Sequence, residues 1–140
     1  MESGFEVFEH GADVGVRGWG PSLEDAFIQG ARAMFSLMTE DLQSVNWETE
    51  IQIQAAGYDL ESLFVAWLNA LLTESDLRSL LLSGFEVSLG HDYTLQGKAK
   101  GEPFSARREE QGVEVKGATF CLAEVFEWEG RWVAQCVVDV

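Results

Sequence analysis

The sequence predicts an α+β fold of two layers, in which two amphipathic helices cover one face of a mainly antiparallel β-sheet. Three observations lead there. Two stretches carry apolar residues at three- and four-residue steps, and each opens on a capping residue. Between them, Val45 to Ala55 alternates strictly, with period two. The last part of the chain reads as two apolar strands around Glu129-Gly130. At 140 residues the chain is expected to form one domain, residues 1–140, large enough to bury a core without staples.

In order, Phe5, Val7 and Phe8 alternate with Glu6 and Glu9 as a short first strand running up to His10. Val14, Val16 and Trp19, interleaved with glycines, read as a second strand. Ser22 with Asp25 three positions on resembles a capping box, and Leu23, Ala26, Phe27, Ala31, Met34, Phe35 and Met38 form the buried stripe of a helix over residues 22–38. In the alternating strand Val45, Trp47, Ile51 and Ile53 share the apolar face, and Glu48, Glu50, Gln52 and Gln54 the wet one. Asp59 caps a second helix, residues 59–73, with Leu60, Leu63, Phe64, Trp67, Leu68, Leu71 and Leu72 inward.

Strands are then expected over 77–82, 85–89 and 93–99, with breaks at Ser83-Gly84 and at Gly90-His91-Asp92, where His91 reads as a surface turn residue. A polar, solvated loop follows from Lys100 to Gly112, carrying Arg107, Arg108, Glu109 and Glu110. A two-residue turn at Glu129-Gly130 sets Trp128 opposite Arg131, which in an unbroken ladder puts Cys136 opposite Ala123 and Cys121 opposite Val138. Two cysteines so placed make neither a disulfide framework nor a zinc pattern, and both read as small buried hydrophobes.

Acidic residues outnumber basic ones 24 to 9, a net charge of −15. That balance opposes direct contact with nucleic-acid phosphates or membrane surfaces and favours cations or a basic partner. No apolar run is long enough to span a bilayer, and the N-terminus shows no export signal, so a cytoplasmic location is expected.

Two stretches carry chemistry. His10-Gly11-Ala12-Asp13 sets an imidazole and a carboxylate on a short small-residue segment, either as a satisfied polar pair at a turn or as half of a site. The ending Val137-Val138-Asp139-Val140 puts the Asp139 carboxylate beside the main-chain carboxylate of Val140 on a hydrophobic strand. Two such anions repel unless something positive lies between them, a hard divalent cation or a basic side chain; otherwise they form an exposed acidic end. Asp13 supplies a further carboxylate if the first strand pairs near the last, and oxygen donors suit calcium or magnesium better than zinc.

These blocks, taken together, resemble one family. His10 to Arg17, Ser22 to Phe27, Ala33 to Thr39, Asp59 to Leu72, Glu114 to Phe120 and the ending Val138-Asp139-Val140 are similar, in order, to archease. The resemblance implies a small cytosolic α+β protein that is not an enzyme. It implies an accessory protein that promotes guanylylation and multiple turnover of an RtcB-type RNA ligase in tRNA splicing or RNA repair. It further implies a divalent cation, typically calcium, on Asp13, Asp139 and Val140, with His10 and Lys116 supporting the site or touching the partner, and no direct nucleic-acid or membrane binding. The family usually has threonine at Gly11, an Arg-His pair at Arg107-Arg108 and histidine at Cys121. A competing reading from the residues is a metal-dependent phosphoester hydrolase, with the cation on Asp13 and Asp139 and His10 as general base. Against it, no nucleophile and no phosphate-cradling glycine loop accompany the motif.

Overall fold

A computed structural model describes residues 2–107 and 112–140. Its architecture is α+β, with two helices against antiparallel strands, as the sequence predicts. The strands divide into two sheets where a single one is expected. Sheet 1 runs β1 (Gly4–His10), β2 (Asp13–Gly20), β8 (Arg131–Asp139), and β8 then pairs along its other edge with both β6 (Gly117–Ala118) and β7 (Glu124–Trp128). Sheet 2 has the order β3 (Thr49–Ala56), β5 (Thr94–Pro103), β4 (Leu80–Leu89).

Helix α1 (Leu23–Phe35) begins as its sequence dictates. Ser22 Oγ accepts from the Asp25 N–H at 3.1 Å, Asp25 reaches back to the Ser22 N–H, and Glu24 and Asp25 meet the positive end of the dipole. Helix α2 (Leu60–Arg78) opens on the same device, with Asp59 accepting from Ser62 at 2.7 Å. Both helices pack against both sheets. Their interface explains Gly18 and Gly30: a Cβ on Gly18 would overlap the backbone of α1, and one on Gly30 would meet the Phe64 ring at 2.5 Å. One buried cluster therefore runs from Val16 and Val138 in sheet 1, through Phe27, Phe64 and Trp67, to Ile53 and Leu95 in sheet 2. Buried Trp67 donates its indole N–H to the Phe27 carbonyl at 3.0 Å, tying the helices together.

Several boundaries differ from expectation, each for a local reason. Strand β3 starts at Thr49: Asp41 caps a short 3-10 turn over Leu42–Ser44, and residues 45–48 lead from it into the strand without regular structure. Trp47 is 62 % exposed, its indole N–H donated to Ser83 Oγ at 2.9 Å. Leu77 and Arg78 belong to α2, not to a strand, and the chain turns at Ser79 in the left-handed region (φ 53°). Ser83-Gly84 is no break: β4 runs through it as a bulge in its pairing with β5. Lys100 to Pro103 continue β5, and Phe104–Arg107 form a 3-10 turn, where a loop is expected. The inward glycine there, Gly101, is too small to advertise a strand. Arg108, Glu109 and Glu110 of that expected loop lie outside the described residues.

Candidate metal and docking site at the open end of sheet 1

The His10-Gly11-Ala12-Asp13 stretch is the turn of the β1–β2 hairpin: His10 pairs with Asp13 across Gly11-Ala12, and Gly11 takes φ +61°, a conformation glycine adopts without strain. On the other side of β2, Val14 pairs with Val138 and the register runs unbroken to Gly20 opposite Trp132. Continued by one residue it sets Asp13 across from Asp139, and residues directly opposite in an antiparallel pair share a face. Gly117 pairs with Asp139 on the far edge of β8. His10, Asp13, Asp139 and Gly117 thus form one row across four strands.

Asp13 reaches further. Its Oδ1 accepts the Val140 N–H at 3.3 Å, which fixes the main chain of Val140 beside that carboxylate. The Val140 side chain is partly buried against the core, so this end of β8 is held by packing as well. The Lys116 N–H donates to the Asp139 carbonyl at 2.8 Å, bringing Lys116 to the same corner with its side chain exposed. Of the residues singled out from sequence, the fold therefore gathers Asp13, Asp139, Val140 and Lys116. His10 lies in the row but turns elsewhere: its Nε2 is 4.0 Å from Cys121 Sγ.

The cysteines separate. Cys136 is fully buried, and burial pushes its thiol up to about 12, opposed only in part by a hydrogen bond from the Thr119 backbone. Cys121 is exposed, contrary to expectation, and the predicted ladder explains why. The Glu129-Gly130 turn does set Trp128 opposite Arg131, and the pairing holds outward to Glu124 opposite Gln135. Beyond that point the partner strand is interrupted: Leu122 takes φ 53° and pairing resumes with Ala118 opposite Val138. Neither Cys136 with Ala123 nor Cys121 with Val138 is a pair, because this irregular segment shifts the register and turns Cys121 outward.

Sequence reasoning misses Asn69. Its side-chain amide donates to the Ala118 carbonyl at 3.1 Å and accepts the Ala118 N–H at 2.9 Å, so helix α2 grips the short strand β6 as a neighbouring strand would. That grip sets Lys116 and Gly117 against Asp139. A polar residue inside the apolar run Trp67-Leu68-Asn69-Ala70-Leu71 is the signal that could reveal it.

Chemically, the corner offers the carboxylates of Asp13 and Asp139, on one face by register, and the main-chain oxygen of Val140, with the exposed Lys116 held beside them through its backbone. Among the described residues no three His, Cys, Asp or Glu side chains group to hold a metal. The donors are oxygen only and open to water, a set that fits a hard divalent cation whose remaining positions are hydrated.

The sequence matches the Archease protein family over residues 5–140. It belongs to that family. Protein archease of Sulfolobus acidocaldarius is 37 % identical over 137 residues, covering 97 % of this chain and 98 % of that protein. Protein archease of Pyrococcus furiosus is 37 % identical over 140 residues, with the same two coverages. Among solved structures, the solution structure of Methanobacterium thermoautotrophicum protein 1598 superposes with a TM-score of 0.83 at 34 % identity, covering 98 % of this chain and 99 % of its own. The crystal structure of a Thermotoga maritima archease, described as a possible chaperone, shares the fold with a TM-score of 0.61 at 17 % identity, covering 95 % and 94 %. No helix among the described residues of this archease is long and apolar enough to cross a membrane.

Proposed function

We propose that this archease is an accessory protein, not an enzyme, that acts on an RtcB-type RNA ligase and promotes its guanylylation and multiple turnover in tRNA splicing or RNA repair. The observation that carries the reading is family membership over nearly the whole chain, together with the gathering of Asp13, Asp139, Val140 and Lys116 at one corner. The description of the Thermotoga archease as a possible chaperone agrees with a partner-directed role.

In this reading Asp13, Asp139 and the main-chain oxygen of Val140 hold a divalent cation, calcium first among the candidates. When bound, the cation supplies positive charge between the carboxylates. The chain's own residues do the rest. Asp13 holds the Val140 N–H and so ties the end of β8 to β2, Asn69 holds β6 in place, and Lys116 presents its ammonium group to an anionic group of the ligase site. An effector shifts an equilibrium only by binding one state of its partner better than the other. The corner therefore acts by favouring the ligase state competent for guanylylation. The cytoplasm, where an RNA ligase works, is the proposed location.

The test is a reconstituted ligation with the cognate ligase at limiting GTP. The wild-type protein should raise ligase–GMP formation and convert single to multiple turnover, and Asp139→Ala should lose both. Unchanged ligase–GMP formation on adding the wild-type protein overturns the reading.

A further inference from the structure

Both helices pack on the same side of sheet 1, the side that carries Val16, Gly18, Ala134, Cys136 and Val138. The opposite face is covered by no helix among the described residues, yet it is not a wet face. Strand alternation places on it Phe8, Trp19, Phe126, Trp128, Val133 and Val137, in the same rows that begin with Asp13 and Asp139. Val133 is 5 % exposed and Val137 2 % exposed although neither belongs to the main core. Phe8 lies over Gly15 with the Arg17 guanidinium 4.6 Å from its ring centre, and Arg17 is bound in turn by Glu6 and Gln135.

At the end far from Asp13, the Arg131 guanidinium lies 5.5 Å from the Trp19 ring centre and 5.3 Å from that of Trp128. Held by stacking, Arg131 makes no ion pair with a carboxylate among the described residues, and Trp128 remains 51 % exposed. A large aromatic fixed in place before its partner arrives loses little entropy on binding, which is why tryptophan and arginine dominate binding hot spots. On the same face of β7 stands the exposed carboxylate of Glu124, and Glu129 follows in the turn; neither is in an ion pair among the described residues. An exposed indole with unpaired carboxylates on its strand and turn, on a chain of net charge −15, complements a cationic surface and repels phosphate.

We infer that this end of sheet 1, centred on Trp128 and braced by Trp19 and Arg131, docks a lysine- or arginine-bearing segment of the partner ligase. The inference rests on the accessory-protein reading and adds a second contact, away from the Asp13–Asp139 corner. A cationic side chain packs on the free face of the Trp128 indole while Glu124 and Glu129 draw the segment in. The corner then acts on the ligase site, and the Trp128 end supplies affinity.

The experiment measures ligase binding by calorimetry at several salt concentrations for wild type, Trp128→Ala and the double variant Glu124→Gln/Glu129→Gln. Trp128→Ala should weaken binding about 30-fold, the scale of a hot-spot residue. The double variant, which leaves the stacking intact, should weaken it about 3- to 10-fold and flatten its salt dependence. At saturating concentration both should still stimulate ligase–GMP formation. If wild type binds and stimulates the ligase while both variants bind within twofold of it, the docking inference is wrong and the accessory reading stands. If wild type neither binds nor stimulates, both fall. Loss in Trp128→Ala of binding to a single-stranded RNA oligonucleotide, or of self-association in sedimentation, with ligase binding intact, overturns the inference by assigning the face another occupant.

Discussion

The two sheets are made of similar antiparallel strands and use their outward faces in opposite ways. In sheet 2 the rows across β3, β5 and β4 read Gln52, Lys98, Glu86 and Gln54, Gln96, Ser88, a polar surface, with the apolar side chains Ile53, Leu95 and Phe85 turned to the helices. In sheet 1 the outward rows hold Phe8, Val137, Trp19 and Val133, tied across β1, β2 and β8 by the rung Glu6, Arg17, Gln135. A sheet that needs only to close a core leaves its other face to water; one that carries apolar and stacked side chains on both faces is shaped for something further.

The sharpest break of that comparison is a charge placed at equivalent outward positions. Val137→Asp buries a carboxylate without a partner and should cost about 3 kcal/mol or more in urea unfolding. Gln54→Asp, on the outward face of sheet 2, should stay within about 0.5 kcal/mol. If Val137→Asp costs under about 1 kcal/mol, the outer layer of sheet 1 is not packed as described.

The contrast also decides what the sequence reveals. Strand β3 is legible because Ile51 and Ile53 alternate with Gln52 and Gln54, as one-sided burial demands. Strand β8 is buried on both faces from Val133 to Val138, so alternation disappears and only the turn at Glu129-Gly130 locates it. The division into two sheets was not legible: each strand's pattern says that one face is covered, and none says by which helix. The caps at Ser22 and Asp59 act over three residues and are legible, whereas the exposure of Cys121 is not, because it is set by the irregular segment around Leu122 and not by its own chemistry. Asp13 and Asp139 are far apart in sequence, and the sequence links them only on the supposition that the first strand pairs near the last; in the fold it is the second strand, β2, that pairs with β8 and sets Asp13 across from Asp139.

Calcium sharpens the comparison next. At about 100 times its dissociation constant a ligand bound only by the folded state stabilises by about 2.7 kcal/mol. Wild type should therefore melt several degrees higher in excess calcium than in chelator, and Asp13→Asn and Asp139→Asn should not. A calcium shift that survives in both variants would place the ion elsewhere. Asn69→Ala leaves the Ala118 N–H and carbonyl without their side-chain partner and should cost about 1–3 kcal/mol. It should also reduce the calcium shift, because β6 then no longer braces Asp139. A full calcium shift in Asn69→Ala would show that the clamp serves stability alone.

The smallest effect at neutral pH concerns the cysteines, one at the rim of sheet 1 and one beneath it. Cys121 is exposed and Cys136 buried, so a disulfide reagent should label one thiol per native chain quickly and the second only on unfolding. The raised folded value of Cys136, about 12 against 9.0 in the unfolded chain, fixes the sign of the pH effect. Below pH 9 the thiol is protonated in both states and the contribution is flat. Above it the unfolded chain releases its proton first, so stability falls as pH rises through the interval up to about 12. Cys136→Ala removes this slope and, by leaving a small cavity, lowers stability modestly at every pH. If both thiols label at one rate in the native state, or if the alkaline slope persists in Cys136→Ala, then Val138, Ala134 and Cys136 do not form the dry inner face against which the outer face of sheet 1 has been contrasted.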